Sequence, residues 1–440
     1  MIPQGGIVMF TQLDRRDFMR TTGGTLGLCL ASKTPPAFGA AGANEKVNLG
    51  FIALGWRNGD HLRDFQKMDS VNIAALGDVD SSRLAQWKER IGGGVRTFKD
   101  FRGMLDQKDI DAVVIATPDH WHCTITVLAC RAGKDVYVEK VLGHNLHEET
   151  LAVQAAREHQ RVVQIGLQQR SGPHFIEAAE IVRSGKLGQI TTVHCFNNWG
   201  IYEMFHKGPD GLGNPPDSDP PEGVDYDMWL GPAPKRPFNV NRFHITHYFN
   251  WDYCGGMTTS WGVHLFDIVS WVMGHEINRV SVSGGKYFYK HNVDTPDTLE
   301  AVFDCPGYTM TYSLRQANGY PLHGEADHGI YFFGAEGTLF VNRSRYEHYT
   351  EKDRKTPVIG ENRGMDLQHK QKFLDSLKSR KITDSDVETG HLSGIPAHLA
   401  NIAFRTGRSI QWDNQNQTIL GDPEAARYLS RAPRKPWDLI

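Results

Sequence analysis

Hydrophobic spacing changes character along this chain. From residue 46 to about 166, short β-branched runs alternate with stretches whose apolar residues recur every three or four positions. The runs at 47–52, 71–76, 112–115, 135–138 and 161–165 predict strands, and the periodicity at 121–131 and 147–159 predicts amphipathic helices. Strands this uniformly apolar have no solvent face. They predict a doubly wound parallel sheet covered by helices on both sides, over 44–166.

Beyond residue 166 the pattern shifts. A helix is expected over 173–184 and a strand over 190–196, followed by a Gly-, Pro- and Asp-rich stretch, 208–222, too polar to bury. Period-two alternation at 280–283, 298–303 and 308–312 predicts a largely antiparallel second sheet, and the tail from 368 to 407 reads as helical. The division expected is a second α/β domain over 167–440, bearing substrate and subunit contacts.

The first 43 residues belong to neither domain. Asp14-Arg15-Arg16-Asp17-Phe18-Met19-Arg20 precedes a Gly/Thr-rich run, and Ala41-Gly42-Ala43 offers a cleavage site, with Met9 as a second candidate start. This is the pattern of a twin-arginine export leader, so a periplasmic location is expected. Lys plus Arg number 48 against 51 acidic residues, a net charge of −3, which gives no electrostatic case for nucleic acid. No apolar window approaches the ~18 residues of a membrane span, so no membrane insertion is expected. With Cys29 set aside with the leader, Cys123, Cys130, Cys195, Cys254 and Cys305 are odd in number and lack a Cys-x-x-Cys, against a disulfide framework or thiolate zinc site.

Chemistry concentrates at strand ends. The turn after the first strand runs Ala53-Leu54-Gly55-Trp56-Arg57-Asn58 where a dinucleotide-binding turn reads Gly-x-Gly-x-x-Gly. Ala53, Gly55, Trp56, Arg57 and Asn58 are therefore cofactor candidates, although only the middle glycine is kept. Asp78 lies 23 residues beyond Gly55, where an acid binds the adenosine ribose and repels a 2′-phosphate. That favours NAD over NADP; the competing role for Asp78 is capping its own turn with Asp80. Two more strands end in polar residues: Thr117-Pro118-Asp119-His120-Trp121-His122 and Glu139-Lys140. His120 and His122 are expected to line the cofactor cleft, and no ligand spacing supports a metal. Trp199, Trp251, Tyr253 and Trp261 are either sugar-stacking or core aromatics. Arg170, after the last strand of the first domain, is either a substrate ligand or an interdomain ion pair.

These motifs jointly resemble the Gfo/Idh/MocA (glucose–fructose oxidoreductase/inositol dehydrogenase) family over nearly all of residues 46–440. Its markers are Ala116-Thr117-Pro118 with His122, Gly133-Lys134-Asp135-Val136-Tyr137-Val138-Glu139-Lys140, and Gly262-Val263-His264-Leu265-Phe266-Asp267. Gly407-Arg408, Trp412-Asp413, Gly421-Asp422 and Arg434-Lys435-Pro436-Trp437 are similar to the tail of its exported members. The resemblance implies a Rossmann domain, a second domain with a large open sheet, homo-oligomers, and NAD(P)-linked oxidation of a sugar or cyclitol hydroxyl. It implies that Lys140 contacts substrate and assists proton transfer, and that Thr117, Pro118, His122 and Glu139 flank the nicotinamide. It matches His264 to the histidine of an Asp-x-x-x-His catalytic pair. Ser260 stands at the aspartate position, and Val141 replaces the proline after Glu-Lys. A serine hydrogen-bonds but cannot be a counter-charge. Two alternatives stay open: export of a folded, loaded protein implies a tightly held cofactor and so a redox-neutral, NAD-dependent glycoside-cleaving enzyme, while Ser260, Ala53 and Asn58 leave a non-catalytic carbohydrate- or nucleotide-binding protein.

Overall fold

The computed structural model describes residues 46–198 and 212–440. The export leader and Trp199 lie outside the described residues. Six strands, β1 (Val47–Ile52), β2 (Val71–Gly77), β3 (Arg96–Phe98), β4 (Ala112–Ile115), β5 (Asp135–Val138) and β6 (Val163–Ile165), form a parallel sheet ordered β3-β2-β1-β4-β5-β6. All four residues of β4 and all four of β5 are buried, as continuous apolar runs require. The chain winds outward from β1 to β3, then returns to lay β4 on the other side of β1. Strand order reverses there, and a crevice opens at the carboxyl ends of β1 and β4.

Helix starts follow the local chemistry. The Asp80 side chain accepts from Ser82 N at 2.9 Å and caps the helix Ser81–Ile91; Asn145 accepts from Glu148 N at 3.0 Å and caps Leu146–Glu158. The helix Asp119–Arg131 begins two residues earlier than its apolar period suggests. Pro118 holds the last extended position, and Asp119 enters the first turn, where a carboxylate suits the helix dipole.

The second sheet has ten strands: β7 (Ile190–Asn197), β8 (Arg279–Gly285), β9 (Thr298–Cys305), β10 (Tyr308–Arg315), β11 (His328–Gly334), β12 (Gly337–Val341), β13 (Arg345–Thr350), β14 (Asp353–Glu361), β15 (Ile410–Asp413) and β16 (Thr418–Leu420). Their order is β14-β13-β12-β11-β7-β10-β9-β8-β15-β16, antiparallel except where β7 and β10 pair in parallel. In β9, Leu299, Ala301 and Phe303 are buried while Glu300, Val302 and Asp304 are exposed. One face therefore packs on the helices Val263–Met273 and Val387–Thr406; the other is exposed along β9 but covered at Phe196 and Phe340, which pack with Ala326.

The expected helical tail is two helices, Asp366–Ser379 and Val387–Thr406. Arg380 takes a left-handed φ of 57° and its guanidinium grips Asp135 at 2.6 and 2.9 Å, so the chain turns before Asp386 caps the second helix. That second helix ties the two sheets together. His391 and His398, one helical face apart by seven residues, both reach Glu149 of the helix Leu146–Glu158, at 3.0 and 3.1 Å.

Candidate active site

The crevice at the carboxyl ends of β1, β2 and β4 is a cleft open to solvent. Ala53, Gly55, Trp56, Arg57, Asp78, Thr117 and Pro118 line it, as the strand-end reading expected. Gly55 starts the helix Trp56–Phe65 with no side-chain cap, so its first N–H groups are left to an anion. Ala53 adopts a φ of 65°, which glycine would take without strain, and its N–H donates to Gly77 O at 2.7 Å.

Asn58 corrects the sequence expectation. It is fully buried and turned away from the cleft: Nδ2 donates to Ile52 O at 2.9 Å, Ala53 O at 2.6 Å and Val114 O at 3.3 Å. Where a glycine would let backbones close up, this amide bridges them instead. Asp78 combines the two roles considered for it. Its carboxylate accepts from Leu54 N at 2.6 Å and Asp80 N at 2.9 Å, while the residue lines the cleft. Burial raises its pKa, against the pull of those two N–H groups.

The histidines expected in the cleft brace it from behind. The ring nitrogens of His122 face Val141 O at 2.7 Å and Thr117 O at 2.8 Å, tying the Thr117 turn to the chain after Lys140. His120 Nε2 lies 2.9 Å from Trp229 O, and burial holds that ring far below the usual histidine pKa. Glu139 is not free to face a cofactor either. It is buried and held by Arg57 Nε at 2.7 Å and His61 Nε2 at 2.9 Å; burial pushes its pKa up, but Arg57 and His61 more than reverse that. Among the described residues no three His, Cys, Asp or Glu side chains converge as a metal site.

Lys140 and His264 lie behind the lining of the cleft, near enough for the lysine's charge to act on the imidazole. Lys140 Nζ lies 5.8 Å from the centre of the Tyr248 ring, which lines the cleft, and the peptide to Val141 is cis. Burial lowers the Lys140 pKa; Glu139 and Asp119 raise it and partly offset that. His264 sits in the first turn of the helix Val263–Met273, behind a wide π-helical turn over Thr258–Gly262. It is buried, Nδ1 has no partner among the described residues, and burial with the charges of Arg343 and Lys140 holds it well below the usual histidine pKa. A neutral imidazole beside a lysine biased toward its neutral form is a pair that can take up a hydroxyl proton.

Ser260 is not His264's hydrogen-bond partner here. Its hydroxyl engages Cys254 Sγ at 3.1 Å. The carboxylate of this region comes from elsewhere, from Asp119. That residue is buried, Oδ2 has no hydrogen-bond partner among the described residues, and its charge acts on Lys140, His247, Tyr248 and Cys254. The sequence places Asp119 in the strand-end motif without a role of its own, ahead of a helix expected to begin at Trp121. The available signal was the Thr-Pro-Asp order, which puts a carboxylate in the first turn of the helix next to the cleft-lining Thr117 and Pro118.

One substrate candidate is corrected. Arg170 is locked in a buried ion pair: Nε donates to Asp267 Oδ1 at 2.8 Å, and the guanidinium covers the Trp271 ring at 5.3 Å. Trp261 is partly exposed; the Arg343 guanidinium lies 4.4 Å from its ring centre, and the rings of His328 and His264 flank it at 4.7 and 5.6 Å. Arg343 and His328 carried no sequence signal, since only the sheet register brings them to this point.

Comparison with known proteins agrees with this fold. Residues 47–167 match the model of an oxidoreductase family's NAD-binding Rossmann fold, and residues 175–439 match the C-terminal alpha/beta domain of the Gfo/Idh/MocA oxidoreductases. The chain is 23% identical over 380 residues to a scyllo-inositol 2-dehydrogenase (NAD(+)) of Bacillus subtilis, covering 83% of this chain and 95% of that one. Two solved structures share the fold. One is a levoglucosan dehydrogenase in complex with NADH, with TM-score 0.63 and 15% identity over 83% of this chain and 99% of that one. The other is an aldose–aldose oxidoreductase from Caulobacter crescentus, with TM-score 0.62 and 18% identity over 83% of this chain and 100% of that one.

Proposed function

We propose, for a chain that belongs to the Gfo/Idh/MocA family of NAD(P)-dependent oxidoreductases, that it oxidises a secondary hydroxyl of a sugar or cyclitol. The observation that carries this reading is that Lys140 lies 5.8 Å from the ring of Tyr248, a residue lining the nucleotide cleft, and near enough to His264 for its charge to act on that imidazole. Named relatives acting on inositol, levoglucosan and aldoses support the substrate class.

The residues fit a dinucleotide. The uncapped N-terminus after Gly55 would hold the pyrophosphate, Asp78 the adenosine ribose, and the Thr117-Pro118 turn the nicotinamide half. When bound, the nicotinamide supplies a hydride acceptor. His264, kept neutral by burial, takes the hydroxyl proton, and Lys140 orients the oxygen and relays that proton toward solvent. Asp119 supplies the charge that Ser260 lacks, by keeping Lys140 able to hold a proton transiently.

NAD is favoured over NADP because Asp78 would repel a 2′-phosphate. Arg83 lines the same end of the cleft and works against that preference. Mass analysis of cofactor released on denaturation tests both points: NAD is expected, NADP would reverse the assignment, and no affinity for either would end the reading. The face of the ten-stranded sheet that is exposed along β9 is proposed to pair with a second copy, tested by the mass in solution. Export through the twin-arginine route is part of the proposal, tested by whether Arg15 and Arg16 together are needed for periplasmic recovery.

A further inference from the structure

Three strand ends of the second sheet meet at one edge. β7 ends at Asn197, β11 begins at His328, directly paired with Asn197, and Arg343 follows two residues after the end of β12. This edge adjoins His264, because Trp261 contacts both the His264 ring and the Arg343 guanidinium. It is rich in unused polar capacity. Both amide atoms of Asn197 and His328 Nε2 are buried without a hydrogen-bond partner among the described residues.

Arg343 is the extreme case. Nε and Nη2 are both buried without partners, and no carboxylate of the described residues lies within ion-pair distance of the guanidinium. These two N–H groups lie on the same edge of the guanidinium plane and point in parallel, the side-on fork that receives both oxygens of one carboxylate. Stacking on Trp261 holds the plane but satisfies neither donor. Desolvation pulls the Arg343 pKa down to about 10, so the charge is retained at neutral pH at the expense of hydration, a cost that a bound anion would relieve.

Building on the dehydrogenase reading above, we infer that the substrate is a sugar acid, a hexuronate or similar monocarboxylate, whose carboxylate docks on Arg343 while a ring hydroxyl faces His264. A carboxylate suits the edge better than a phosphate. There is a single fork to bind it, and three carboxylates, Asp366, Glu139 and Asp327, against one further cation, Arg57, act on the same guanidinium, a balance that disfavours a dianion.

The test is calorimetric binding to the NADH-loaded protein, with D-glucuronate against D-glucose, D-galacturonate against D-galactose, and D-glucose 6-phosphate as the competing anion. Wild type is expected to bind at least one uronate about 10- to 100-fold tighter than its neutral partner, as for a charge-assisted pair. Arg343→Gln should collapse that ratio to near one, and Arg343→Lys should keep part of it, since charge remains and the fork is lost. NADH affinity and thermal midpoint establish that each variant is folded. Equal affinity for acidic and neutral sugars in wild type, a preference that survives in Arg343→Gln, or tighter binding of glucose 6-phosphate would each overturn the inference. The parent reading fails separately. Oxidation of neutral sugars without any uronate preference keeps the dehydrogenase and ends the Arg343 assignment. An Arg343-dependent uronate preference without nicotinamide reduction on any sugar keeps the docking site and ends the dehydrogenase.

Discussion

Replacing Asn58 with glycine brings the turn closer to Gly-x-Gly-x-x-Gly, and the structure predicts that this weakens the protein. The amide loses two good hydrogen bonds, to Ile52 O and Ala53 O, and a longer one to Val114 O. Neutral hydrogen bonds contribute about 0.5–1.5 kcal/mol each, and glycine in a helix costs a few tenths more than asparagine. Two terms soften the loss. Ile52 O keeps Ala116 N as a donor at 3.2 Å, and the substitution removes the unpartnered Asn58 Oδ1. The net expectation is a destabilisation of about 2 kcal/mol, with weaker NADH binding because the Ala53 carbonyl loses its anchor. Equilibrium urea unfolding and NADH fluorescence titration measure both, with Asn58→Ala separating amide loss from glycine flexibility. An Asn58→Gly protein as stable as wild type, with equal or tighter NADH affinity, would refute the reasoning.

Three further outcomes follow from the same contacts. Asp119→Asn should lower kcat by about 10- to 100-fold. Since Asp119 raises the Lys140 pKa, its removal should also move the limb of the pH–rate profile due to Lys140 to lower pH; an unmoved limb counts against the pairing. Arg170→Ala should destabilise by about 3–5 kcal/mol in urea by leaving Asp267 buried and unpaired, with substrate KM unchanged; a raised KM without a stability loss would restore it as a substrate ligand. Glu149→Gln should cost about 3 kcal/mol, read by urea unfolding across pH. Burial raises the Glu149 pKa, but His398 and His391 outweigh it, so this carboxylate's contribution is present above the unfolded value and lost as pH falls through the depressed folded one. The pKa of His391 is raised above 6.5, so its contribution is full below that value and lost as pH rises through the folded one. A variant whose stability tracks wild type at every pH would show that the cluster is not an anchor.

The strand-ending motifs were legible because each strand's chemistry is local. A β-branched run, a proline and a polar residue suffice to place Thr117 and Lys140 at the sheet's carboxyl edge. What sequence could not show is which way a polar side chain turns once it is there. Asn58 and His122 carry cofactor-like chemistry yet point into the backbone, and Glu139 is claimed by Arg57 and His61. Nor could spacing reveal partners set by long-range register. Arg343 meets Trp261 only because β12 ends beside β11, and Asp119 reaches Lys140 across two parallel strands. The break at 380–386 was hidden because its turn is stabilised by Arg380 binding Asp135, a contact 245 residues away.

The central claim is that the cleft delivers a hydroxyl to Lys140 and His264 beside a bound nicotinamide. The most direct measurement is single-turnover reduction of stoichiometric NAD by neutral sugars, cyclitols and uronates, with wild type and Lys140→Met compared at matched NADH affinity. The predicted result is reduction by at least one of these substrates in wild type, slowed by at least about 100-fold in Lys140→Met. Equal rates in the two proteins, or no reduction with any of them, would contradict it.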